Sequence, residues 1–116
     1  MRVKGGKASR RRRNKVLKRA KGYYSMGSRS YTIAVERNDR ALAYAYRDRK
    51  QRKREFRKLW ITRISAATKM NGVSYSKFIG ALGKSGIELD RKVLSDMAIA
   101  DPKAFSALVE KDMQTA

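Results

Sequence analysis

The stretch Arg47-Asp48-Arg49-Lys50-Gln51-Arg52-Lys53-Arg54-Glu55 contains no apolar residue. It lies inside a longer segment, from Ser28 to Asn71, that has neither Gly nor Pro and is rich in Ala, Leu, Arg, Lys and Glu. These are good helix formers, so the segment predicts one long helix over about residues 32–70, closed by Asn71-Gly72. At 1.5 Å per residue such a helix runs roughly 55–60 Å, longer than a small domain is wide. A helix polar all round buries no face against protein. This one also repels itself. Arg49/Lys53, Lys50/Arg54, Lys53/Arg57 and Arg54/Lys58 are like charges four apart, each unfavourable by about 0.2–0.5 kcal/mol, and Asp48/Arg52 is one favourable pair against four. The segment is therefore expected to be weakly helical alone and to be set by a polyanion.

C-terminal to this stretch the pattern changes. Phe56, Leu59, Trp60, Ile64 and Ala67 recur at spacings of three and four, as in a helix entering a core, and Trp60 is expected to pack there rather than serve as a base-stacking platform. Ser74 is placed to cap a helix bearing Phe78, Ile79 and Leu82 that stops near Gly83 or Gly86. Asp90 starts another, with Val93, Leu94, Met97 and Ala98 on one face. Asp101-Pro102 pairs a cap with Pro at the first helical position and opens a last helix with Phe105, Leu108 and Val109. N-terminal to the long helix, residues 1–8 read as a tail. Ser9 is the expected cap of a short helix over about residues 10–21, Gly22 is its left-handed stop, and Tyr23 to Ser30 read as a loop. Val16 and Leu17 are the only sizeable apolar side chains of that short helix, too few to bury a face.

The expected fold is thus all-α: a long basic N-terminal helical arm over residues 1–58, and a small globular helical domain over residues 59–116. Charge follows the same division. Residues 1–60 hold 22 Lys and Arg against 4 Asp and Glu, whereas residues 61–116 hold 8 against 6. The whole chain of 116 residues carries a formal charge of +20. A protein so charged repels itself unless an anionic partner neutralises it. There is no Cys and no His, which removes disulfides, thiol nucleophiles, imidazole bases and the usual zinc sites, so neither a metal nor a cofactor is expected. No run of about 18 apolar residues suggests a membrane span, and no apolar stretch follows the basic N-terminus to make a secretory signal. The expected location is cytoplasmic.

Lys and Arg bind nucleic acid by displacing counterions from phosphates. The residues expected to do so are Arg2, Lys4, Lys7, Arg10, Arg11, Arg12, Arg13, Lys15, Lys18, Arg19, Lys21 and Arg29 in the N-terminal part. Along and beyond the polar stretch they are Arg47, Arg49, Lys50, Arg52, Lys53, Arg54, Arg57, Lys58 and Arg63. Tyr23, Tyr24 and Tyr46 are interleaved with them, as are Tyr31 and Tyr44, and each ring suits stacking on an unpaired base or a sugar as well as ordinary packing. Unpaired bases are common in folded RNA and rare in duplex DNA, and Arg grips two phosphate oxygens at once, so RNA is the favoured partner. No helix-turn-helix, zinc-finger, RNP or KH signature is present. The expected recognition is of RNA shape and phosphate placement.

The run Ala45-Tyr46-Arg47-Asp48-Arg49-Lys50-Gln51-Arg52-Lys53-Arg54-Glu55-Phe56-Arg57-Lys58-Leu59-Trp60-Ile61 closely resembles the bacterial large-subunit ribosomal protein L-twenty family. LKRAKGYY (Leu17 to Tyr24), SYSKFIGAL (Ser74 to Leu82), IELDRKVLSDMA (Ile87 to Ala98) and AFSALVEK (Ala104 to Lys111) resemble the same family, in order along nearly the whole chain. Gly5, Gly6, Thr32, Glu36, Asn38 and Asp39 depart from it, which leaves phosphate contacts near residues 32–39 open. The resemblance implies a helical arm reaching into large-subunit ribosomal RNA, a C-terminal helical domain at the surface, and an early role in subunit assembly. It also implies a neighbouring L-twenty-one protein and, in some bacteria, repression of the protein's own messenger RNA through the C-terminal domain, with the leader of that message as partner.

Other classes fit less well. A nucleoid or DNA-packaging protein would bind duplex DNA and folded RNA equally. A membrane-active helix needs an apolar face, which residues 47–55 lack. Acid–base catalysis by Asp48 and Glu55 would require two carboxylates that sit among cations, seven residues apart, with no partner group. Helix ion pairs are their expected role, and no enzymatic activity is expected.

Overall fold

The computed structural model of the chain describes residue 2 and residues 4–115. Among the described residues the protein is all-α, with no strand. Its helices are α1 (Gly6–Arg19), α2 (Tyr31–Met70), α3 (Tyr75–Ser85), α4 (Arg91–Ala100) and α5 (Pro102–Thr115), and a short 3-10 helix (Ser25–Ser28) lies between α1 and α2. The chain divides into two compact units, Met1–Lys50 and Gln51–Ala116, and the division falls within α2. No helix among the described residues is long and apolar enough to cross a membrane.

The first unit is held by small side chains. Ala20 and Ala34 have no exposed surface and Gly27 is buried, while Val16, Leu17 and Val35 are half-buried. The Arg13 guanidinium lies over the Tyr31 ring, 5.4 Å from its centroid, and joins α1 to the start of α2. The short helix expected over residues 10–21 in fact begins at Gly6 and ends at Arg19. Ser9 therefore lies in its first turn, and its backbone N–H donates to the Gly5 carbonyl at 3.2 Å. Lys7 and Ala8 are good helix formers, so nothing stops the helix short of Gly5, which takes the left-handed φ of 74° that breaks it. Gly22 adopts the left-handed conformation expected of a stop, with φ 91°. The segment read as a loop contains the 3-10 turn, entered through Ser25 at a positive φ of 54°.

The second unit has a conventional core. Ile64 from α2, Phe78 and Leu82 from α3, Leu94 from α4, and Phe105 and Val109 from α5 form one buried cluster, with Ala67, Val73, Ile79, Met97 and Leu108 packed against it. The Phe78 and Phe105 ring centroids are 5.5 Å apart. Helix boundaries follow the capping chemistry. The Asp90 carboxylate accepts from the Val93 N–H at 2.8 Å, and Asp101 accepts from Ala104 at 3.1 Å. Ser74 accepts from Lys77 at a longer 3.5 Å. Gly72 and Gly86 take the left-handed conformation that ends α2 and α3, with φ of 76° and 72°.

Two expectations about the core are corrected. Phe56 is 45% exposed and Leu59 41% exposed, while Trp60 is half-buried but outside the core cluster. Ile64 is the residue of α2 that reaches the buried cluster, so the apolar periodicity begins two turns before the core does. Of the four residues expected on the buried face of α4, Leu94 is in the core with Met97 and Ala98 packed against it, but Val93 is 43% exposed.

Candidate nucleic-acid interface

From Tyr46 to Leu59 every residue is exposed. This is what a helix without an apolar face must do in the absence of a partner. All the cations expected to bind RNA are exposed. Of the three tyrosines grouped with them, Tyr24 and Tyr46 are exposed and Tyr23 is half-buried.

Few of these charges are neutralised within the chain. The ion pairs among the described residues are Glu36 with Arg40 at 3.3 Å, Asp48 with Arg47 at 3.0 Å and Glu55 with Lys58 at 3.2 Å. All three are solvent-exposed, where such pairs contribute at most about 1 kcal/mol. The expected Asp48/Arg52 pair does not form. Asp48 takes its neighbour Arg47, and the Arg52 guanidinium lies over the Phe56 ring, 6.0 Å from its centroid. Asp48 and Glu55 are thus committed to helix ion pairs. No group of three or more His, Cys, Asp or Glu side chains that could hold a metal ion occurs among the described residues.

Tyr44 and Tyr46 are associated with cations. The Arg47 guanidinium sits 4.6 Å from the Tyr44 ring centroid. The Lys50 ammonium is 4.3 Å from the Tyr46 ring centroid and donates to the Tyr46 hydroxyl at 2.8 Å. These contacts hold each ring beside a positive charge, the combination that receives a base and its phosphate together.

Two open depressions concentrate this chemistry. In the first unit Tyr23, Tyr24, Arg37, Arg40, Ala41 and Tyr44 line about 360 Å³. In the second unit Arg52, Lys53, Phe56, Arg57, Trp60 and Arg63 of α2, with Lys92 and Asp96 of α4, line about 710 Å³. The Phe56 and Trp60 rings are tilted by 33° with centroids 6.2 Å apart. Sequence reasoning did not include Arg37, Arg40, Phe56, Trp60 or Lys92 among the binding residues. The spacing of Arg37, Arg40, Ala41 and Tyr44 (three, four, seven) already places them on one helical face. Lys92 carried no such signal, because only packing brings α4 beside α2.

The family described as Ribosomal protein L20 matches residues 2–108 of the chain. The chain is similar to the large ribosomal subunit protein bL20 of Bdellovibrio bacteriovorus, 63% identical over 107 residues that cover 92% of this chain and 93% of the relative. The protein of the same name from Desulfotalea psychrophila is 63% identical over 107 residues, 92% of this chain and 91% of the relative. That from Acetivibrio thermocellus is 58% identical over 110 residues, 95% and 94%.

Proposed function

Because this chain belongs to the ribosomal protein L20 family, we propose that it is a structural constituent of the large ribosomal subunit that binds large-subunit ribosomal RNA directly and promotes early subunit assembly. The family is structural and non-catalytic. One observation carries the RNA-binding reading: the continuous exposed surface from Tyr46 to Leu59, of whose eight cations only Arg47 and Lys58 pair with a carboxylate among the described residues. Paired with phosphates, the same cations lose their mutual repulsion, and neutralised RNA helices approach one another more closely. That is the physical content of an assembly role. The protein would order RNA by removing the charge that keeps its helices apart.

Neighbouring large-subunit proteins are the second class of partner, with L-twenty-one the one the resemblance implies. Exposed apolar side chains in the second unit, Leu89, Val93 and Ile99, support a protein contact there. Binding to the leader of its own messenger RNA is supported by the second unit's possession of both a core and a cationic depression of its own.

The test is co-sedimentation with the large subunit through a high-salt wash. Retention in the subunit fraction is the expected outcome. Recovery in the free fraction would overturn the proposal.

A further inference from the structure

We propose that the depression between α2 and α4 in the second unit is a pocket for one unpaired RNA nucleotide, whose base stacks on Trp60 while Arg57, Arg63 and Lys92 hold its phosphates. The inference rests on the RNA-binding reading above and specifies one site within it.

Its first support is the misfit of Phe56 and Trp60 with a purely structural role. They stand one turn apart on α2, Phe56 exposed and Trp60 half-buried, and neither belongs to the core cluster. An exposed Phe ring, and a Trp ring only partly covered, forfeit part of the burial that would reward them. The second support is the charge around them. The cations of the lining come from two helices, and none is within ion-pair distance of a carboxylate among the described residues, Asp96 included. An uncharged apolar ligand would leave these charges unanswered, whereas a nucleotide brings an aromatic face and an anion together. The third is size. A volume of about 710 Å³ lies within the range of sites for single small ligands. A paired base cannot enter, because its faces are covered by stacked neighbours, so the occupant must be bulged or single-stranded. Asp96, the one acid of the lining, would repel a phosphate and accept a hydrogen bond from a base N–H, which orients the base edge toward α4.

Trp60 is the only tryptophan of the chain, so its emission reports on this site alone. The full chain is titrated with a short RNA duplex carrying one bulged nucleotide and with the same duplex fully paired, at several salt concentrations. The bulged duplex is expected to quench Trp60 emission strongly and the paired one weakly. Base–aromatic stacking corresponds to roughly 5- to 150-fold in affinity, so the bulged duplex should bind tighter by a factor in that range. Trp60→Ala should abolish this preference, and Trp60→Phe, which keeps a ring, should retain part of it. Equal quenching and equal affinity for the two duplexes, with steep salt dependence for both, would overturn the nucleotide pocket and leave the RNA-binding reading standing. Failure to bind either duplex would overturn both. The quenching comparison uses the unaltered chain and does not depend on a variant folding.

Discussion

Phe78 has no exposed surface, and its ring meets that of Phe105 across α3 and α5. Truncating such a residue removes both its transfer energy and its packing, about 3–5 kcal/mol for Phe→Ala. A domain of this size is only marginally stable, so Phe78→Ala is expected to abolish the cooperative urea transition of the second unit. A persistent transition with an unchanged midpoint would show that the core lies elsewhere. Asp112 presents the opposite case. It is fully buried on α5, and its Oδ2 has no hydrogen-bond partner among the described residues. Its Oδ1 is 3.1 Å from the Ser85 hydroxyl, but that hydroxyl also lies 2.8 Å from the Ala81 carbonyl and 3.3 Å from that of Leu82. One proton serves only one acceptor well, and the shortest contact is to Ala81. The carboxylate is therefore poorly compensated. Asp112→Asn, which removes the charge and adds donors, is expected to raise unfolding free energy by about 1–2 kcal/mol. A lowered urea midpoint would contradict this account.

At the scale of the element, α2 joins two contradictory designs. Ile64 and Ala67 pack in the core of the second unit, whereas from Arg47 to Lys58 the surface of α2 is dense positive charge. The four like-charge pairs between Arg49 and Lys58 together oppose the helix by about 1–2 kcal/mol. Lys53 takes part in two of them. Lys53→Glu turns both into attractive pairs, so the helicity of the free chain measured by circular dichroism should rise while RNA binding weakens. Loss of one phosphate contact lowers the salt slope by about 1. Opposite movement of the two readouts separates a helix selected for binding from one selected for its own stability. A variant less helical than the parent would remove repulsion as the explanation.

At the scale of the molecule, the formal charge of +20 lies almost wholly in residues 1–60. If about eight phosphates are neutralised, log affinity for large-subunit RNA should fall with log salt at a slope of roughly −6 to −7. A slope near −1 would mean that contacts other than phosphate dominate, and that the exposed cations serve another purpose. The measurement belongs to the full chain, because both units carry cationic depressions and the slope counts phosphates over all of them.

The all-α architecture, the long helix, the caps at Ser74, Asp90 and Asp101, and the glycine stops were legible in the sequence, because each depends on residues within a turn or two of one another. The exposure of the charged stretch was legible for a related reason: a run of cations with no apolar face has nowhere to be but in solvent. The start of α1 was misread because Lys7 and Ala8 propagate a helix past Ser9, and propensity alone does not choose between two neighbouring starts. The tertiary structure alone decided where cover on α2 begins. Phe56, Trp60 and Ile64 share one helical period, yet only Ile64 reaches the core, because burial depends on what lies opposite. Packing alone set Lys92 and Asp96 beside the Trp60 ring, since no local rule relates residues some thirty positions apart.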